Sequence, residues 1–243
     1  MIKLQKINFG LDAPNVTARL FLISIVAFAI FVLSYCIDIK PNSTGNYIRV
    51  LSGLFFFCFL TTGLWMILSS KIFKYKNRDK IIRELNLTGA EHILDVGCGR
   101  GLYTIGFAEK LSTGKVYGID IWNLEDISFN SKNSTMANVR KSGFEEKIVI
   151  KTEDMRTISF NDNCFDIVVA CFSIHNIKNR DERQKALHEI ARVTKKEGKI
   201  TIIDFKHINE YKDYFVKNDF ETYRETFAKG VFPVSKNLIF KKI

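Results

Sequence analysis

Two long stretches without a charged side chain constrain this chain more than any other feature. From Leu20 to Ile37, 16 of 18 residues are apolar, and from Val50 to Ser70, 14 of 21. As helices rising 1.5 Å per residue they would reach about 27 to 32 Å, the thickness of a bilayer's hydrocarbon core. The rest of the chain keeps an ordinary share of hydrophobic residues, enough for one packed domain. Intrinsic disorder and a polytopic transporter are both excluded.

Charge orients the pair. The chain has 36 Lys and Arg against 26 Asp and Glu, a net charge of +10, and the excess collects on the outer flanks of the two runs. Lys3, Lys6 and Arg19 precede the first run and six basic residues from Lys71 to Arg83 follow the second, while only Lys40 and Arg49 lie near the connection. Basic flanks stay on the cytoplasmic side. The pattern therefore predicts an integral membrane protein with both termini and the whole C-terminal domain in the cytoplasm, touching membrane lipids through its basic flank. Asp38, Pro41, Asn42, Ser43, Thr44 and Gly45 predict a turn between the spans. A cleaved signal peptide is the competing reading, but the first run is longer than a usual signal core and no small-x-small site follows it.

Residues 91–243 carry only +3, spread without a basic run, which argues against a nucleic-acid partner. Cys36, Cys58, Cys98, Cys164 and Cys171 form no C-x-x-C pair and show no metal-ligand spacing with the four histidines, so no metal is expected. The organisation predicted is a basic cytoplasmic segment over 1–19, a transmembrane hairpin over 20–70 (spans 20–37 and 50–70), a basic amphipathic linker helix over 71–90 and a domain over 91–243. Within that domain strand and helix alternate: strands over 91–96, 115–120, 147–152, 165–171 and 199–205, helices over 102–111, 131–141, 181–195 and 209–216. Short apolar strands separated by helices predict an α/β fold with a mostly parallel sheet covered on both faces. The last strands, 221–228 and 238–242, joined through Gly230 and Pro233, predict a terminal antiparallel hairpin.

The chemistry is concentrated where the first strand of that domain ends: Asp95-Val96-Gly97-Cys98-Gly99-Arg100-Gly101. Three glycines allow a tight turn and let a ligand approach main-chain N–H groups at a helix start. Leu102 stands where a dinucleotide fingerprint needs Gly or Ala, and no P-loop lysine follows. Asp120 ends the next strand, 23 residues after Gly97, and a carboxylate there can accept two vicinal hydroxyls. Asp154 can accept from an exocyclic amine, with Glu153 competing for that role.

With these residues in order, the chain from about 78 to 243 resembles the class I, Rossmann-like methyltransferases that depend on S-adenosylmethionine (SAM). Asp95 to Gly101 resembles the family's first motif, Val116 to Asp120 its second, Glu153-Asp154-Met155 its adenine-binding position, Phe165 to Cys171 its fourth strand, and Leu187 to Val193 the helix before strand five. Glu197-Gly198 departs from the Pro-Gly-Gly common before that strand. The resemblance implies a doubly wound, seven-stranded sheet and SAM as cofactor, with S-adenosylhomocysteine (SAH) as product. It implies a cofactor site formed by Asp95, Gly97, Cys98, Gly99, Gly101, Tyr103, Asp120, Ile121, Asp154, Met155 and Cys171.

The loop after strand four, Phe172-Ser173-Ile174-His175-Asn176, is similar to that of small-molecule and quinone C-methyltransferases. His175 is the candidate catalytic residue, either deprotonating a thiol or phenol or simply orienting the acceptor; a histidine hydrogen-bonded beneath the cofactor is the alternative. Trp122, Leu124, Ile127 and Phe129 enrich a long loop in apolar groups, which either cover an acceptor or pack on the domain. Three functions remain open: a membrane-anchored methyltransferase for a small lipophilic acceptor or lipid headgroup, a membrane-localised protein methyltransferase, or a non-catalytic SAM-binding subunit.

Overall fold

The computed structural model describes residues 7–36, 43–124 and 127–243. The predicted turn residues Asp38, Pro41 and Asn42 and the basic residues Lys3, Lys6 and Lys40 lie outside them. Two helices open the chain, α1 (Pro14–Cys36) and α2 (Ser43–Leu68). Pro14 occupies the first helical position of α1, where its missing N–H costs nothing. α1 starts six residues before its uncharged run, and Thr44 and Gly45 belong to the first turn of α2 instead of to the connection.

The two helices pack through small residues. Thr17, Ser24, Ala27 and Ser34 are the buried residues of α1. Opposite them, a Cβ on Gly63 would lie 3.1 Å from the Phe21 ring and one on Gly53 3.5 Å from Phe31. Ser24, Ser34 and Ser52 donate back to carbonyls of their own helices at 2.6 to 2.8 Å, so these three hydroxyls are satisfied in apolar surroundings. The outer faces stay uncovered: Leu22 is 62% exposed and Phe57 64%.

A helix lies within the segment expected as a linker helix over 71–90. α2 continues through a π-helical turn (Ser69–Phe73) directly into α3 (Lys74–Glu84), a single rod over Thr44–Glu84. α3 does not lie free: Ile81, Ile82 and the following Leu85 are buried in the core of the C-terminal domain. The described segment ahead of α1, from Ile7 to Ala13, packs on the C-terminal domain. Ile7 and Phe9 enter the same core, and Asn8 O accepts from Asn138 Nδ2 at 3.0 Å. Nothing local marks that segment for burial; only the cleft between α3 and α5 makes it favourable.

The domain is a seven-stranded sheet in the order β3-β2-β1-β4-β5-β7-β6. β1 (His92–Val96), β2 (Lys115–Asp120), β3 (Ile148–Thr152), β4 (Phe165–Cys171) and β5 (Thr194–Asp204) run parallel, and β6 (Phe220–Phe227) and β7 (Lys236–Lys242) form the terminal antiparallel pair. α4 (Leu102–Ala108), α5 (Lys132–Ser142), α6 (Arg180–Val193) and α7 (Ile208–Lys217) cover it. Successive strand residues point to opposite faces, so the apolar strands feed two cores. Ile93, Val116 and Ile167 join α3, α4 and α5 in one, while Leu94, Val168 and Ile200 join α6 and α7 in the other. β5 begins five residues earlier than the alternation predicts, because Thr194 pairs with Phe165 before a register shift that leaves Glu197 at φ 63°.

Strand order reverses between β1 and β4, whose carboxyl ends part there and leave a crevice.

Candidate active site

That crevice opens into a cavity of about 660 Å³, within the range of small-molecule sites. Asp95, Gly97, Cys98, Gly99, Tyr103, Asp120, Ile121, Asp154, Met155, Cys171 and His175 all line it. Gly101 does not: it caps α4 at φ 84°, donating to Cys98 O at 2.8 Å.

Several N–H groups of the glycine loop are committed within the chain, with Gly97 and Cys98 donating to Ile119 O and Gly99 to Asp120 Oδ2 at 2.8 Å. Gly97 is needed for closeness, since a Cβ there would lie 2.3 Å from Ser173 Cβ. At Gly99 a Cβ would meet nothing nearer than Ile127 at 4.0 Å, so the backbone borders open space. Cys98 packs beneath the loop, its Sγ 3.0 Å from where a Cβ on Gly118 would sit, and burial pushes its thiol up.

Asp120 accepts from Gly99 through Oδ2 and from Trp122 N through Oδ1 at 2.6 Å. Oδ1 also accepts from Asn130 Nδ2 at 3.5 Å, so it is Oδ2 that keeps a lone pair for a further donor. Beside it Asn130, 3% exposed, gives its Nδ2 to Asn123 O, while its Oδ1 is buried with no hydrogen-bond partner among the described residues. A buried acceptor without a donor on a cavity wall fits a ligand hydroxyl, and the sequence reading missed it. Asp95 is fully enclosed: its Oδ2 accepts from Thr104 N at 2.9 Å and Thr104 Oγ1 at 2.6 Å, fixing the first turn of α4. Burial pushes its carboxyl up to about 7, with Asp120 adding repulsion and the Thr104 bonds opposing.

Asp154 lines the rim, but its carboxylate is gripped by Arg156 through Nε and Nη2, which holds it below the usual carboxylate range. Arg156 also reaches Glu182 at 2.9 Å. The competing Glu153 instead accepts from Ser159 N. Met155 is half-buried against the α6 and α7 core.

On the β4 side, Phe172 sits at φ 51° and turns the chain back over the cavity. His175 follows in a short 3₁₀ turn (Ile174–Asn176), its Nδ1 2.9 Å from Oδ1 of Asp204 at the end of β5. The two atoms lie close without hydrogen-bond geometry, and Nδ1 is buried with no hydrogen-bond partner among the described residues. Asp204 is 1% exposed and accepts from Phe205 N and Tyr211 Oη. His175 packs against Phe205 with tilted rings, centroids 4.6 Å apart. Asp204 escaped the sequence reading although it ends a strand as Asp120 does; its link to His175 spans 29 residues.

The loop of Trp122 to Phe129 divides. Ile127 lines the cavity and bridges to Asp12, Ser128 is bound to Leu11, and Trp122 Nε1 donates to Thr152 at 2.8 Å, whereas Leu124 and Phe129 are exposed. Phe9, Asp12, Ala13, Met66 and Lys74 complete the wall from the N-terminal side.

Residues 94–202 match the family described as "Methyltransferase domain". A demethylmenaquinone methyltransferase of Lactobacillus johnsonii is 31% identical over 130 residues, covering 52% of this chain and 49% of the relative. A sterol 4-C-methyltransferase of Caenorhabditis elegans is 31% identical over 131 residues, 54% of this chain and 36% of that one. The chain thus spans about half or less of the length of these curated relatives. Among solved structures, a SAM-dependent methyltransferase from Aquifex aeolicus aligns at 22% identity with a TM-score of 0.56, over 68% of this chain and 89% of that one. The magnesium protoporphyrin IX methyltransferase of Synechocystis with bound SAM aligns at 16% and 0.58, over 72% and 82%. The site therefore lies among the residues that match a methyltransferase domain, on a Rossmann-like fold shared with solved SAM-dependent methyltransferases.

Proposed function

We propose that the whole chain is a membrane-anchored methyltransferase that acts at the cytoplasmic face on a small lipophilic acceptor or a lipid headgroup. The observation that carries this reading is one cavity bordered both by the glycine loop and by Met66 of the apolar hairpin. Named relatives point the same way, since they methylate demethylmenaquinone and sterols. The hairpin's uncovered apolar faces support a bilayer environment: a soluble monomer seldom exposes so continuous an apolar surface.

SAM supplies an electrophilic methyl group on its sulfonium. Asp120 and the free Oδ1 of Asn130 suit the ribose hydroxyls, Ile121 and Met155 the adenine faces, and the acidic Asp95 the amino acid end. His175 faces the cavity from the acceptor side. As a general base it takes the proton of the acceptor's hydroxyl, and Asp204 stabilises the imidazolium that results. Tyr211 and the main-chain N–H of Phe205 hold Asp204 in place. General-base participation is worth about 10²- to 10⁴-fold, and alignment of the acceptor supplies further rate.

The test is incubation of the full-length chain in vesicles with isotopically labelled SAM and a membrane lipid extract. Label is expected in the organic phase, falling more than tenfold in His175→Gln while SAH affinity stays within a few fold. Label in protein would favour a protein methyltransferase, and SAH binding without any transfer a non-catalytic subunit.

A further inference from the structure

We infer that the hairpin's root is the acceptor's entrance: an amphiphile reaches His175 from within the bilayer, through a portal framed by Ala13, Met66 and the Phe232-Pro233 turn. The inference rests on the membrane reading above and extends it, turning the anchor from a tether into part of the substrate site.

The frame is built by the π-helical turn between α2 and α3. A π turn inserts an extra residue and shifts which side chains face a given side, and such turns recur at functional sites. Ser69 and Ser70 within it and Lys74 just after it are all buried. Ser69 Oγ accepts from Phe232 N at 2.7 Å, and Phe73 packs on Gly230, where any Cβ would lie 2.4 Å from its ring. Those contacts seat the β6–β7 loop on one flank of the rod. On the other flank, Ser70 Oγ donates to Asp12 Oδ2 at 2.9 Å and accepts from Asp12 N, and Lys74 Nζ donates to Asp12 Oδ1 at 2.9 Å.

Both flanking elements are thus pinned to consecutive residues of one helix, and Met66 lies about one turn before them. Ala13, Met66, Phe232 and Pro233 border the same cavity as His175 and Gly97. The neighbours of Met66 on α2 identify the medium outside: Leu64, Trp65 and Leu68 are 47%, 43% and 41% exposed. An aqueous entrance would not be set among such groups. At the inner end Asp12 and Lys74 neutralise each other, so a neutral head group passes no uncompensated charge. The occupant is therefore an amphiphile with a compact hydroxylated head and an apolar tail, the head at His175 and the tail still in lipid.

The probe is a prenyl-tailed phenol bearing a diazirine on its tail, photolysed with the full-length chain in phosphatidylcholine nanodiscs and mapped by peptide mass spectrometry. Label is expected on residues 9–13, on Met66 and on 232–233. Met66→Trp is expected to reduce it at least fivefold with SAH affinity within twofold, and Phe57→Trp on the outer face to leave it unchanged. Phe232→Trp narrows the same opening from the opposite side and carries the test should Met66→Trp misfold. Label confined to outward positions such as Leu64 and Phe57, or undiminished in both narrowing variants, overturns the portal while SAH binding preserves the methyltransferase reading. Failure of the wild-type chain to bind SAH overturns both.

Discussion

Asp95 shows how one residue type serves opposite ends according to its surroundings. Like Asp120 it stands near the carboxyl end of a strand, yet it is sealed beneath the glycine loop with a carboxyl raised from 3.8 to about 7. The folded chain then holds a proton that the unfolded chain has lost between those values. Asp95 therefore makes the fold less stable as pH rises through that window, an effect that levels off above about 7. A ligand ammonium beside it favours the carboxylate and expels that proton. SAH affinity is accordingly expected to rise a few fold from about pH 6 to about pH 8, with proton release visible by calorimetry in buffers of different ionisation enthalpy. Asp95→Asn should flatten the profile; an unchanged profile would assign the proton elsewhere. The glycine loop and Asp120 were legible in sequence because their spacing is local. The engagement of Asp154 by Arg156 was not, although only two positions separate them, since side-chain direction decides it.

Among the elements, the strap ahead of α1 is the least expected. Residues 7–13 carry no helix or strand pattern, yet Phe9 is 1% exposed and stacks edge-on with Tyr75 at 5.6 Å. Truncation of a buried phenylalanine costs about 3 to 5 kcal/mol. Phe9→Ala is therefore expected to lower the thermal midpoint of the detergent-purified chain by several degrees, and to weaken SAH-induced stabilisation because the strap borders the cavity. An unshifted midpoint would mean that the strap only rests on the domain. The strands and helices of the sheet follow the alternation read from sequence closely, β2 and β4 to the residue. Alternation and helix-stop signals act within one element, and the strap has neither.

At the scale of the molecule, the rod over Thr44–Glu84 ties the hairpin to the domain without a flexible joint. If the apolar runs span a bilayer, the six basic residues from Lys71 to Arg83 hold the domain on the cytoplasmic side, where SAM is available. Protease added outside sealed, right-side-out vesicles is then expected to leave the domain intact and to digest it once the vesicles are permeabilised. Digestion before permeabilisation would reverse the topology.

The sequence alone determined the apolar hairpin, the order of strands and helices, the glycine loop and its acidic partner Asp120, because each follows from periodicity or spacing within a few tens of residues. Tertiary structure decided what meets across longer separations: Asp204 behind His175, Asn130 beside Asp120, and the strap, Met66 and the β6–β7 loop around one cavity. Those contacts come from strand order and from the buried residues at the π turn, Ser69, Ser70 and Lys74. Local pattern carries no record of either, since the free energy that selects them resides in burial between segments far apart in the chain.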